Sequence, residues 1–144
     1  MTARAPKILL AIALLAAAGV VVSSVALYHH YGASPSSFCD FGASFNCDIV
    51  NRSIYSTVLG IPVALFGILG YATLAVLATL GRMRTDLYMP LLLASVAGLG
   101  FALYLTYVEA FVLAVWCILC LSSLVLILVI SVLSSWIVAG LRRA

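Results

Sequence analysis

Charge is what this chain has least of: 8% of its 144 residues are Asp, Glu, Lys or Arg, against 66% apolar. A soluble domain carries about 25% charge, so a water-facing shell is excluded, as are disorder and a long coiled coil. Seven basic residues against four acidic ones leave +3, too few cations for a surface that tracks nucleic-acid phosphates. Gly-rich phosphate loops, Ser-His-Asp patterns, repeats and low-complexity tracts are missing too. With a mean hydropathy of +1.29, one broad class remains: an integral membrane protein.

Four runs carry no charge at all: 8–28, 57–80, 87–108 and 110–141. A helix needs about 20 residues to cross a bilayer core, and inside lipid a helix satisfies its own backbone. The expectation is therefore an all-α membrane bundle, a single domain over 1–144, with helices near 8–28, 57–80, 87–110 and 116–139 and an outer loop at 29–56. The last charge-free run is too long for one span, so a turn is expected between Glu109 and Trp116, although no Gly or Pro marks it. Arg4 and Lys7 ahead of the first run also fit a signal peptide. Its 21 uncharged residues exceed the usual h-region of about 7–15, and it is read as a retained helix. Arg4, Lys7, Arg82, Arg84, Arg142 and Arg143 fall on one side of such a bundle and Arg52 alone on the other. Cations favour the cytoplasmic side. That places both termini in the cytoplasm of a multi-pass inner or plasma membrane protein, with 29–56 outside.

The outer loop holds Cys39 and Cys47, and Cys117-Ile118-Leu119-Cys120 opens the last span as a C-x-x-C. That spacing places two sulfurs on one helix face, in the first turns, where the helix dipole favours a thiolate. All four cysteines thus lie at the oxidising face. They can be redox-active, or they can be packing residues and a loop staple. A four-thiolate zinc site is disfavoured by the continuous apolar helix around the C-x-x-C, and no metal is expected.

The segments CDFGASFNCDIVNRSIYSTVLGIPVALFGILGY (39–71) and YLTYVEAFVLAVWCILC (104–120) resemble the vitamin K epoxide reductase family, above all its bacterial members, and cover about a third of the chain. The resemblance implies a four-helix bundle around a quinone pocket, capped by the outer loop. It implies an enzyme, a quinone-dependent thiol–disulfide oxidoreductase that supports disulfide formation. Cys117 and Cys120 would be its active-site pair, Cys120 beside a quinone of the ubiquinone or menaquinone class. Cys39 and Cys47 would be the shuttle pair, Cys47 exchanging with Cys117. Ser53 takes the family's loop-serine place, and Val50, Leu105 and Leu113 fall at aligned pocket positions. Phe66 is placed toward the pocket by helical spacing with Ser56, Leu59 and Val63; for all of these, ordinary bundle packing is the competing reading.

Two departures bear on substrate. The Asn that opens helix two in the animal enzymes is Ser56 here, and the Tyr four residues after the C-x-x-C is Leu124. Both favour disulfide generation over vitamin K epoxide reduction, which stays as the alternative substrate. A non-enzymatic tetraspan protein with structural disulfides is the alternative from another class. Some bacterial members are fused to a thioredoxin-like domain; this chain ends at Ala144, so a separate thioredoxin-like extracytoplasmic partner is expected.

Other ionisable residues have two readings each. His29 and His30 can accept a proton from a thiol or mark where the first helix leaves the lipid. Glu109 can relay protons near the quinone or simply exit into headgroups. Asp40 and Asp48, each following a cysteine, can tune thiol exchange or keep the loop solvated.

Overall fold

A computed structural model of the protein describes residues 3–31 and 54–143. Cys39, Cys47, Val50 and Ser53 lie outside the described residues. Four long helices carry the chain: α1 (Ala5–Tyr31), α2 (Val63–Gly81), α3 (Tyr88–Tyr107) and α4 (Ile118–Arg143). Each belongs to a segment long and apolar enough to cross a membrane, so the protein is a multi-pass membrane bundle, as its composition requires. Neighbours run α1–α2, α2–α3, α3–α4 and back from α4 to α1. This closes a ring of four with a core between.

The inward stripe of α4 is Ile127, Ile130, Ser131, Ser134, Ile137 and Val138, the three-and-four spacing of one helix face. It meets Leu9, Ile12 and Ala16 of α1, Leu74 and Ala78 of α2, and Leu91 of α3 in one buried cluster. Outward residues such as Leu14, Val76, Leu93 and Trp136 are exposed, as a lipid-facing surface allows. Small residues let such helices approach closely, because lipid offers no hydrophobic drive between them.

Gly19 is the clearest case. A Cβ there would lie 2.3 Å from a ring carbon of Tyr71, and the Tyr71 hydroxyl is tied across the bundle to Ser123 of α4, donating to its carbonyl at 2.7 Å and lying 2.8 Å from its Oγ. The ring therefore cannot swing away without breaking two hydrogen bonds. Gly19→Leu is expected to lower stability by about 1–3 kcal/mol through overpacking, measured as a fall in the thermal transition of the detergent-solubilised protein. An unchanged transition would show that α1 can shift at no cost.

The helix bounds differ from the sequence expectation: α1 runs from Ala5 to Tyr31 rather than 8–28, so residues 29–31 are helical and not loop, and α4 runs from Ile118 to Arg143 rather than 116–139. The ends of the two middle helices differ for local reasons. The second helix starts at Val63, not near 57. Residues Ile54–Ser56 form a 3-10 turn, and Thr57–Val58 pairs with Ile61–Pro62 in a small antiparallel hairpin, β1 and β2. Its turn is Leu59-Gly60, both with positive φ (55° and 81°), a left-handed conformation that no helix can contain. Pro62 then precedes the first helical residue, a place where a missing N–H costs little. Ser56 thus sits in a turn, and Leu59, 97% exposed, does not share a helix face with Phe66. The third helix is also longer than its α-part: it continues as a wide π-turn over Val108–Leu113 and ends on Ala114 in the left-handed region (φ 53°).

Candidate functional site

At the end of the bundle remote from Arg4, Arg82 and Arg143, the π-turn, the start of α4 and the Ile54–Ser56 turn come together around one cavity of about 430 Å³. Its walls are mostly apolar, with a few polar groups at separated points, the usual make-up of a small-molecule site. Of the residues singled out in the sequence, Ser56, Phe66, Leu105, Leu113 and Cys120 all line it. Cys117 does not line it; it is fully buried behind the wall among Leu113, Val115, Leu119 and Cys120.

The local fold explains why the two thiols differ. A π-turn fits one more residue into the turn than an α-helix and is frequent at functional sites. Here the Glu109 carbonyl accepts from the N–H of both Ala114 and Val115, the latter at 3.2 Å. Ala114 reverses the chain, and three residues later Cys117 stands just ahead of α4. Its carbonyl takes the first helical bond, from Leu121 N–H at 3.0 Å. The C-x-x-C therefore does not lie wholly within the helix, as its spacing alone implied. Cys117 is the N-terminal cap, its sulfur facing the N–H groups of Leu119 and Cys120 in the first turn.

Both cysteines are free thiols in this structure. The hydrogen bond from the Cys120 thiol holds the Cys117 thiol below its ordinary value, against the opposing effect of burial; the two capping N–H groups add to the lowering, and the nearby Glu109 charge works against it. A cap position at the positive end of the helix dipole favours a thiolate for the same reason. The arrangement thus provides one buried, stabilised sulfur and one sulfur open to the cavity.

Glu109 completes this corner. It is 1% exposed, so the headgroup exit considered for it from sequence does not apply. Its Oε2 accepts the Cys117 N–H at 3.2 Å, its carboxyl interacts with the Cys120 thiol, and the residue lines the cavity. A buried acid at membrane depth is costly unless it has partners or a task.

Other polar groups stand in the walls, and of these Tyr71 and Ser123 carry no sequence signal. His30 lines the cavity, with Nδ1 3.4 Å from Ser56 Oγ, so a residue considered for the lipid boundary stands at the site. The Tyr71–Ser123 pair lines the deeper part. Leu124, at the place of the animal enzymes' Tyr, does not line the cavity, whereas Tyr71 brings a phenol into it from α2. Among the described residues no cluster of His, Cys, Asp or Glu is suited to hold a metal ion.

Residues 10–135 match the Vitamin K epoxide reductase family, and the chain belongs to it. Its members are membrane oxidoreductases that exchange electrons between disulfides and quinones, and this protein is one of them in that general sense.

Proposed function

From this family membership and the site, we propose that the protein takes electrons from a reduced thioredoxin-like protein outside the membrane and passes them through Cys39/Cys47 and Cys117/Cys120 to a membrane quinone, sustaining disulfide formation. The observation that carries this reading is the cavity itself, large, apolar and bordered by the Cys120 thiol. A flat apolar ring with two oxygens fits such a space: Phe66 and Leu105 offer apolar contact, and Ser56 with His30, and Tyr71 with Ser123, offer polar groups at different points of the wall. When bound, a quinone supplies a two-electron, two-proton sink.

The residues divide the remaining work. The partner's thiolate attacks the Cys39–Cys47 disulfide at Cys39 and the partner's second thiol resolves that bond, so the partner leaves oxidised. Freed Cys47 attacks Cys117 of the Cys117–Cys120 disulfide, and Cys120 leaves as a thiolate into the cavity. Cys39 then resolves the Cys47–Cys117 bond, which restores the loop disulfide and leaves Cys117/Cys120 reduced. Each exchange is an attack by thiolate on disulfide, and its rate follows thiolate fraction and geometry. The cap that stabilises Cys117 as a thiolate makes it a good leaving sulfur in the last of these steps. The apolar bundle excludes water and orients what is bound.

The test is anaerobic quinone reduction by the purified protein with a reduced thioredoxin-like donor. Donor-dependent quinol formation supports the reading. A disulfide pattern that never changes with donor or quinone would instead mark the cysteines as staples.

The same reading sets the orientation. Six of seven cations gather at the end away from Cys117, and cytoplasmic loops carry the excess of Lys and Arg. Both termini are then cytoplasmic and Cys39 outside. A reduced variant retaining only Cys39 should react with a membrane-impermeant maleimide in sealed right-side-out vesicles. Labelling only after the membrane is opened would reverse the orientation.

A further inference from the structure

Oxidising a dithiol by a quinone moves two protons with two electrons, and the site has to carry them where bulk water is scarce. Cys117 has no exposed surface. The titratable side chains that line the cavity are His30, Tyr55, Tyr71, Glu109 and Cys120, and no Lys or Arg does so among the described residues. Tyr71 is committed to Ser123, and His30 stands beside Ser56 on the hairpin side. Glu109 is tied to the cysteine pair: Oε2 accepts the Cys117 backbone N–H at 3.2 Å, and the carboxyl interacts with the Cys120 thiol. Its Oε1 is buried with no hydrogen-bond partner among the described residues. An unsatisfied buried oxygen costs about 1–3 kcal/mol or more, so its retention calls for a use.

We propose that Glu109 is the proton carrier of this site, taking protons from the Cys117/Cys120 dithiol as it closes to a disulfide and delivering them to the oxygens of a quinone bound in the cavity. This rests on the quinone-reductase reading above. In the step, counted from the dithiol after both sulfurs have picked up the protons released by the partner's thiols, two S–H bonds break and one S–S bond forms. Two electrons pass from sulfur to the quinone, two protons follow through the carboxylate to give the quinol, and Glu109 ends as it began. The geometry suits both halves, since one residue faces the thiols and the cavity at once. The wide π-turn that carries it also places its carboxyl at the first turn of α4.

Glu109→Gln separates carrying a proton from merely holding the helix start. Gln keeps a carbonyl oxygen for the Cys117 N–H but cannot accept and release a proton near neutral pH. The full chain, reduced and held without oxygen in detergent, is mixed with a decyl-tailed benzoquinone, and quinol formation is followed through a single turnover. The variant should be slower by about 100-fold or more, with Glu109→Asp recovering part of the loss, while the thermal transition of both variants stays near that of the wild type. A second readout needs no quinone: the rate of Cys120 alkylation by iodoacetamide against pH, resolved by mass spectrometry. The wild-type profile should show a carboxyl-linked step that Gln removes. A Gln variant with wild-type single-turnover rate and an unchanged alkylation profile overturns the proposal. If the wild-type protein reduces no quinone, it is the quinone-reductase reading that falls. The alkylation profiles then decide the proton exchange alone, and identical profiles overturn it.

Discussion

Cys120→Ala is expected to abolish quinone reduction whatever the electron donor, whereas Cys39→Ala should abolish it only with the protein donor. The asymmetry comes from where the sulfurs stand. Cys120 borders the cavity and Cys117 is sealed behind the wall, so no other described sulfur can replace Cys120 beside a bound quinone. Loss of a residue that reacts directly leaves only background turnover, a drop of several orders of magnitude in comparable systems. On the proposed route Cys39 is the entry point, so it should be bypassed when a small dithiol reduces Cys117/Cys120 directly. Cys39→Ala also leaves Cys47 without its resolving partner, so a Cys47–Cys117 disulfide should accumulate, because exchange passes through such mixed bonds. Mass spectrometry of the unreduced protein reads that linkage. A Cys39→Ala variant that lacks the crosslink and still oxidises its partner at the normal rate would refute the shuttle.

Gly70→Phe should weaken quinone use by a factor of about 10 or more while sparing the fold. Gly70 lines the cavity, and a Cβ there meets nothing within 4 Å. A benzyl group on that wall takes space from a cavity of about 430 Å³, and each tenfold loss of affinity is about 1.4 kcal/mol. Replacing Gly by Phe inside α2 also recovers about 0.5 kcal/mol of helix propensity, so the thermal transition should hold or rise. This is the reverse of Gly19→Leu, where the added side chain meets the Tyr71 ring. The apparent KM for a decyl-tailed benzoquinone is the measurement. An unchanged KM would mean that the quinone does not occupy this part of the cavity.

Much of the architecture is legible without coordinates, because its causes are local. Charge-free runs long enough to span lipid define the four helices, and six of the seven cations fall at one end of them. Three-residue spacing brings Cys117 and Cys120 together because Cys117 caps the helix whose first turn carries Cys120. Ser56, Phe66, Leu105 and Leu113, expected at a quinone pocket from family likeness and helical spacing, line one cavity, and quinone binding there is the proposal. Phe66 does so without the helix shared with Ser56 that suggested it, since the Leu59-Gly60 turn and Pro62 delay α2 to Val63.

What only the tertiary structure decided is the chemistry at the corner of that cavity. Glu109 reads from sequence as a residue near a helix end. It becomes a buried neighbour of the cysteine pair, accepting the Cys117 backbone N–H, because a π-turn and the left-handed Ala114 fold residues 115–117 back over it, and no Gly or Pro announces that turn. Tyr71 and Ser123 are 52 positions apart, on helices whose sequences carry no mark of the pairing. Hydrophobicity along a chain reports which segments leave water. The meeting of a phenol, a carboxyl and two thiols depends on helix rotation and depth, which are set by the close packing of small residues such as Gly19 and are resolved only when all four helices are in place.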